Sequence, residues 1–418
     1  MTIDAIAAGG EGVGRLADGR VVFVHRTAPG DRARIQIVEA KERWTRGRLL
    51  ELLVSSPDRR EPSCPFYAEC GGCTLEHLTY EAQLRSKGRI VADALNRIGG
   101  LQVEPPDVVA SPHEFRYRNR VSFALRRLSG GRVLAGFHSL NDPDRILDID
   151  GTCLLPEEPV SRVWDRLRAA WGPGAALLPA AERLRLTLRA TRAGMVSLLI
   201  EGGSSGGSRD DLLARVEGLE SIWHRPGPAA AALVAGASGL PESWGDETIP
   251  LGGTAFLQVN REGARLLEDH ALAVIGDPAG LRIVDAYCGV GLHARRLARG
   301  GADVVGIELD GDAVAAARGA APARAHFVEG SVEERIADCL PADLVILNPP
   351  RAGIAPEVVE ALLAAPPARL VYISCNPATL ARDLRRLSER FSLEALRSFD
   401  LFPQTAHVET VAALSRID

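Results

Sequence analysis

The sequence predicts an α/β protein whose last third is a doubly wound, largely parallel sheet, preceded by a small all-β barrel and a central α+β segment. Two patterns carry that expectation. From residue 249 onward, short apolar strands alternate with helical segments, the order that lays helices on both faces of a parallel sheet. Residues 1–55 instead hold short alternating stretches punctuated by Asp18-Gly19 and Pro29-Gly30-Asp31, which suits a barrel of short strands joined by tight turns. A chain of 418 residues is too long for one compact core. The expected division is 1–57, 58–245 and 246–418.

In the barrel, strands are expected at 20–25, 33–39 and 44–53, with a linker at Ser55-Ser56-Pro57-Asp58. A helix is expected over 80–97, because Leu84, Lys87, Gly88, Val91 and Leu95 keep one face mostly apolar. Strands at 117–125, 133–138, 184–189 and 195–201 follow, and 202–208 reads as a flexible insert rich in glycine and serine. The last third gives strands at 283–287, 303–307, 325–328, 344–347 and 370–374. Helices at 292–299, 312–318, 356–364 and 378–390 separate most of them. Ligands of such a sheet gather at the carboxyl ends of its strands.

Formal net charge is -5, so bulk electrostatics give no support for a nucleic-acid partner and any such contact must be local. Arginines cluster around Trp44 (Arg43, Arg46, Arg48), around Tyr117 (Arg116, Arg118, Arg120) and at Arg382, Arg385 and Arg386. Each suits phosphate contact and base stacking as well as it suits a solvated face. No secretory leader is visible at 1–14, and 228–240 falls short of the roughly 20 apolar residues a bilayer needs. A cytoplasmic protein without membrane contact is expected. Of seven cysteines, Cys64, Cys70 and Cys73 lie close together, which in that compartment favours metal over disulfides.

The first strand of the last third ends in Asp285-Ala286-Tyr287-Cys288-Gly289-Val290-Gly291, where glycines let the backbone approach a cofactor. Glu308 stands about 20 residues further on, placed to accept hydrogen bonds from ribose hydroxyls. The full three-glycine phosphate fingerprint is missing, which favours a cofactor without pyrophosphate such as S-adenosylmethionine. Asn348-Pro349-Pro350-Arg351 ends the fourth strand. An amino-methyltransferase would carry an aromatic ring where Arg351 stands. Ser374-Cys375-Asn376-Pro377 ends the fifth and sets a thiol at the cleft rim, where a helix N-terminus just beyond would lower its pKa and make it a nucleophile. Cys288 and Cys339 read as small buried apolar residues. Glu409 lies in an apolar strand, where an unpaired carboxylate is costly and implies a partner or a task.

Together these motifs resemble the RNA uracil-5 methyltransferase family, in its branch with an N-terminal TRAM domain and an iron-sulfur cluster. Gly10-Glu11-Gly12-Val13-Gly14-Arg15 is similar to the start of the OB-like TRAM barrel. Phe256-Leu257-Gln258-Val259-Asn260, Ser374-Cys375-Asn376-Pro377 and His407-Val408-Glu409 match the family's entry, nucleophile and base motifs. The resemblance implies a Rossmann-like methyltransferase domain at 246–418, an RNA-binding barrel at 1–57 and a central domain carrying the cysteines. It further implies S-adenosylmethionine held by Gln258, Tyr287, Gly289, Gly291, Glu308 and Asn348, and a 4Fe-4S cluster on Cys64, Cys70, Cys73 and Cys153, with zinc the chemical alternative. Cys375 would add to carbon 6 of uracil and Glu409 would take the carbon 5 proton. The family has Asp where this chain has Asn348, and often a polar residue where it has Leu292. The RNA implied is 23S ribosomal RNA, with transfer RNA the alternative, and the protein is expected to act as a monomer. A competing reading is an amino-methyltransferase working through Asn348-Pro349-Pro350-Arg351.

Overall fold

A computed structural model describes residues 1–204, 207–228, 230–245, 247–255 and 257–417. The chain forms two compact units: 1–61, 74–112 and 262–418 make the first, and 62–73 with 113–261 the second. Because each unit collects non-consecutive stretches, the helix at 80–97 belongs with the barrel and the C-terminal sheet.

In the first unit, β1 (Ile3–Ile6), β2 (Gly12–Arg15), β3 (Val21–Val24), β4 (Arg32–Ala40) and β5 (Trp44–Val54) form a five-stranded sheet in the order β1-β2-β3-β5-β4. A bridge from Thr2 to Arg32 joins its two edge strands and closes the barrel. Ile3, Val22 and Val24 fill the interior. Asp31 is fully buried, accepts from the Ala28 and Ser56 amides at 2.6 and 2.9 Å, and pairs with Arg59 at 2.7 Å, which holds its carboxyl below the usual range. That pair fixes the chain as it leaves the barrel. Helix α1 (Tyr80–Arg97), capped by Thr79, is as the periodicity predicts. Its faces serve two cores. Ala82 and Ile90 pack with Ile6 and Ala28 of the barrel, while Val91 and Leu95 join the core of the C-terminal sheet. The short strand β6 (Val108–Val109) follows.

The second unit is built on β7 (Arg120–Arg127), β8 (Val133–His138), β9 (Ile146–Asp148), β10 (Arg183–Ala190), β11 (Val196–Glu201), β12 (Leu219–Arg225) and β13 (Ala232–Gly236). They form one sheet in the order β13-β12-β11-β10-β7-β8-β9. Helices α2 (Glu158–Ala170) and α3 (Arg209–Arg215) cover its apolar face, with Trp164 of α2 stacked on Phe123 at 3.8 Å between ring centres. A hairpin of β14 (Leu240–Trp244) and β15 (Glu247–Leu251) lies apart from that sheet. The insert expected at 202–208 lies partly outside the described residues, as does Phe256 of the entry motif.

Back in the first unit, α4 (Arg261–Ile275) leads into β16 (Arg282–Ala286), α5 (Leu292–Arg299), β17 (Asp303–Glu308), α6 (Gly311–Gly319), β18 (Ala325–Glu329), α7 (Val332–Cys339), β19 (Leu344–Leu347), α8 (Pro356–Ala364), β20 (Arg369–Ser374), α9 (Pro377–Leu387), β21 (Phe391–Phe399) and β22 (Glu409–Arg416). The sheet order is β18-β17-β16-β19-β20-β22-β21-β6, with β22 antiparallel to both neighbours. The order reverses between β16 and β19, the place where open α/β sheets bind ligands. Among the described residues no helix is long and apolar enough to cross a membrane.

Candidate functional site

The loop after β16 is shaped for close approach. Gly291 caps α5 at φ +75°, and a Cβ there would stand 2.5 Å from the Phe327 ring, so both conformation and space demand glycine. Gly289 at φ +55° has no atom within 4 Å of where its Cβ would be and faces open space. Tyr287 holds φ +62°, a strained state for a bulky residue, with its hydroxyl donating to Glu333 at 3.1 Å. Asp285 is fully buried beneath the loop and accepts from the Ala294 amide at 3.1 Å, and burial pushes its pKa up to about 6.

Glu308 ends β17 and grips the same loop. Its oxygens accept from the amides of Gly289 at 2.9 Å, Leu309 at 2.8 Å and Asp310 at 2.9 Å. A carboxylate accepts about four hydrogen bonds, so roughly one position remains for a ligand hydroxyl. Asn348 is half-buried at the tip of β19, beside β16 in the sheet. An open glycine bend, a carboxylate with spare capacity and a switch point together fit the adenosine and amino-acid ends of S-adenosylmethionine. Gln258 belongs to the other compact unit, where its carbonyl accepts from Asn119 at 2.9 Å.

The nucleophile and base candidates meet by register. Ser374 of β20 pairs with Thr410 of antiparallel β22, so Cys375 and Glu409, one step further on each strand, stand together at the sheet's rim. Asn376 caps α9 through the Ala378 amide at 3.1 Å, with Pro377 at the first helical position, and this turn leaves Cys375 half-buried. The expected fall in its pKa is overturned. Burial and then the facing Glu409 carboxylate push the thiol up, while Arg351, which also hydrogen-bonds it, pulls the other way. A helix N-terminus acts over one turn. Here desolvation and a like charge exceed it. Glu409 is buried, and loss of water raises its pKa to about 7, with Arg351 opposing.

Arg351 is the residue that sequence reasoning missed, noticed only as an absent aromatic ring. Its carbonyl accepts from Asn376 Nδ2 at 3.1 Å and Thr379 Oγ1 at 3.2 Å, fixing the proline loop against the start of α9. The same loop is held by buried Asp383, which accepts from the Ile354 amide at 3.0 Å and the Tyr372 hydroxyl at 2.8 Å. Arg382 and Arg386 pair with Asp383 at 2.8 and 3.6 Å, so two of that arginine cluster neutralise a buried carboxylate. Around Tyr117 the cluster is likewise occupied in part. Arg116 donates to the Cys153 carbonyl and Ser161 at 2.8 Å, and Arg118 to the Tyr117 hydroxyl at 3.2 Å.

Sequence reasoning also missed Gln404. It is fully buried at φ +69°, its carbonyl accepts from the amides of Thr74 and Leu75 at 2.9 Å, and its side-chain oxygen accepts from Gln83 at 2.9 Å and Arg60 at 2.8 Å. This hub ties the loop before Glu409 to the segment entering α1. Phe402-Pro403-Gln404-Thr405 is a visible motif, but nothing in it announces its partners.

In the second unit Cys64, Cys70, Cys73 and Cys153 all line one small apolar pocket with Phe66, Phe137 and Ile149, and none of the four is in a disulfide. Burial pushes the Cys153 thiol up to about 12. Among the described residues no group of three or more His, Cys, Asp or Glu side chains is arranged to hold a metal ion. Cys339 is packed in the core, as expected of an apolar cysteine, whereas Cys288 is only half-buried.

Residues 2–50 match the TRAM domain and residues 337–417 the tRNA (uracil-5-)-methyltransferase family. An uncharacterised RNA methyltransferase of Gloeobacter violaceus is 36% identical over 446 residues, covering 100% of this chain and 96% of its own. One of Thermosynechococcus vestitus is 33% identical over 99% of this chain and 97% of its own. The crystal structure of Pyrococcus abyssi tRNA (uracil-54, C5)-methyltransferase in complex with S-adenosyl-L-homocysteine superposes with a TM-score of 0.77 at 27% identity, covering 99% of each chain. With the glycine loop at the switch point and the thiol at the tip of β20, this chain belongs to the S-adenosylmethionine-dependent RNA uracil-5 methyltransferase family and carries a TRAM domain.

Proposed function

We propose that the protein methylates carbon 5 of a uridine in structured RNA through a covalent bond from Cys375 to carbon 6 of the base. The observation that carries this is the rim of β20 and β22, where a half-buried thiol, a buried carboxyl of pKa about 7 and the Arg351 guanidinium converge. Uracil carbon 5 is a weak nucleophile until something adds at carbon 6. S-adenosylmethionine supplies the electrophilic methyl, and Tyr287, Gly289, Gly291, Glu308 and Asn348 would form its cradle. Arg351 favours the thiolate for attack. Glu409 takes the carbon 5 proton after transfer, with a pKa suited to a general base near neutrality, and elimination frees the sulfur. The base must leave its stack to reach the rim, which is cheapest in a loop.

On the family resemblance alone, the four cysteines around the apolar pocket are read as holding a 4Fe-4S cluster rather than zinc. The cluster would staple residues 64–73 to the turn at Cys153. Anaerobically purified protein should show a broad visible absorption that Cys153→Ser removes; stoichiometric zinc in its place would overturn the assignment.

On the family resemblance the RNA is 23S ribosomal RNA. The likeness to the Pyrococcus abyssi enzyme, whose described target is tRNA uracil-54, favours transfer RNA as a second reading. Nucleoside analysis after incubation of each RNA with methyl donor decides. We expect 5-methyluridine in one of them, whereas N-methylated adenine or cytosine would point to amino chemistry at Asn348-Pro349-Pro350-Arg351.

A further inference from the structure

A groove of about 680 Å³ opens in the first unit between the barrel and α1, and it ends at Asn376, Pro377 and Ala378, immediately after Cys375. Its size falls in the range of roughly 300–1,000 Å³ typical of ligand sites, the scale of one or two nucleotides. On the barrel wall stand Phe23 and Trp44 with Arg15 and Arg43; on the helix wall stand Arg89 and Arg97. Arg89, Asp93 and Arg97 recur every four residues, so α1 presents them on one face, while Ile90 and Ala94 make the apolar floor. Phe23 meets Trp44 edge-to-face, with ring planes at 77° and centres 6.2 Å apart. The four arginines exceed the two acids of the groove, Asp4 and Asp93, in a chain whose net charge is -5. Of the arginines grouped around Trp44 in the sequence, Arg43 lines this groove. Arg46 holds its guanidinium 5.5 Å from the Trp44 ring.

Basic walls around an aromatic platform are what an unstacked RNA strand needs, since every base has a face to stack and every nucleotide a phosphate. We propose that this groove takes the nucleotides flanking the target uridine, with Trp44 stacking a base and Arg43, Arg89 and Arg97 holding the phosphates. The assignment rests on the reading that Cys375 bonds a uridine. A strand whose target ring is at Cys375 must pass Asn376 to Ala378, and the groove begins there. The barrel and α1 then form the two jaws of one strand-binding site, which explains why α1 is packed against both the barrel and the catalytic sheet.

Two probes test this on the full chain. One is fluorescein-labelled single-stranded oligouridine, followed by polarisation at several salt concentrations; the other is 5-fluorouridine-substituted ribosomal and transfer RNA, followed by covalent trapping. Trp44→Leu should weaken oligouridine binding roughly ten-fold or more, and Trp44→Tyr should restore most of it. Arg89→Ala with Arg97→Ala, both exposed on α1, should flatten the salt dependence by roughly 0.7 for each phosphate the variant no longer neutralises. Melting temperatures matching the parent's would exclude misfolding as the cause, and the arginine pair tests the groove even if Trp44→Leu fails to fold. Parent-like oligouridine affinity and salt slope in these variants, with trapping intact in the parent protein, would overturn the groove and leave Cys375 standing. Failure of the parent protein to trap any RNA would overturn the uridine reading and the groove with it.

Discussion

At the residue scale the site is an electrostatic balance on one sulfur. Cys375 is pushed towards the neutral thiol by burial and by Glu409, and towards the thiolate by Arg351. Opposite substitutions therefore have opposite signs. Arg351→Ala should move the thiol pKa higher, and Glu409→Gln should move it lower, both readable from the pH dependence of iodoacetamide alkylation at Cys375. Glu409→Gln should also cut turnover by roughly 10²–10⁴-fold and let methylated adduct accumulate, since the carbon 5 proton has no base. A second consequence follows from the Glu409 pKa of about 7 against an unfolded value near 4.5. Between those values the unfolded chain ionises and the folded one does not, so this group lowers stability as pH rises through that window. Glu409→Gln should match the parent's melting temperature near pH 4 and exceed it above pH 7; a parent melting curve indifferent to the substitution at both pH values would contradict the buried, uncompensated carboxyl. Turnover of the parent should rise through about pH 7 as Glu409 ionises. The sequence exposed Cys375 and Glu409 through their strand ends and neighbours. It did not expose the direction of the thiol shift, because that depends on a carboxylate brought alongside by antiparallel pairing of β20 with β22.

At the element scale α1 is the joint of the first unit. Its apolar faces pack on two cores, and Lys87, fully buried, donates to Asp400 at 2.5 Å and to the Phe402 carbonyl at 3.1 Å. Lys87 thereby fixes the chain after β21, and Gln404 then hands it on to Glu409. Removing one member of a buried pair leaves an uncompensated charge, so Lys87→Met should cost about 3–5 kcal/mol in denaturant unfolding, and adding Asp400→Leu should return much of it. A cost below about 1 kcal/mol for Lys87→Met would show that the pair is not the tether described. The boundaries of α1, α5 and α8 were legible because each has an apolar stripe and a capping residue, proline or glycine at its ends. Missed elements lacked such marks. Helix α2 opens on Glu158-Pro159 and carries three arginines among its thirteen residues, and β12 sets Glu220, His224 and Arg225 among its apolar positions, which blurs the two-residue alternation.

At the scale of the whole molecule the alternation of strands and helices after residue 249 gave the class of the catalytic sheet, and the turn-punctuated start gave the barrel. What it could not give is the assembly of units from separated stretches, because the packing of α1 on Ile6 and Ala28 on one side and on the parallel sheet on the other joins residues far apart in the chain. A chain beginning at residue 58 should therefore lose stability as well as RNA affinity, since Leu75, Leu78 and Ile90 would be left without their barrel partners. An unchanged melting temperature for that fragment would argue that the barrel is an independent appendage. All of these expectations converge on the strand rim where uridine is proposed to bond. The most direct measurement is peptide mapping by mass spectrometry after 5-fluorouridine-substituted ribosomal or transfer RNA has been incubated with protein and S-adenosylmethionine, then denatured and digested. A denaturation-resistant adduct is expected on the peptide that contains Cys375 and is absent in Cys375→Ala; an adduct on another residue, or full methylation by Cys375→Ala, would rule out Cys375 as the nucleophile.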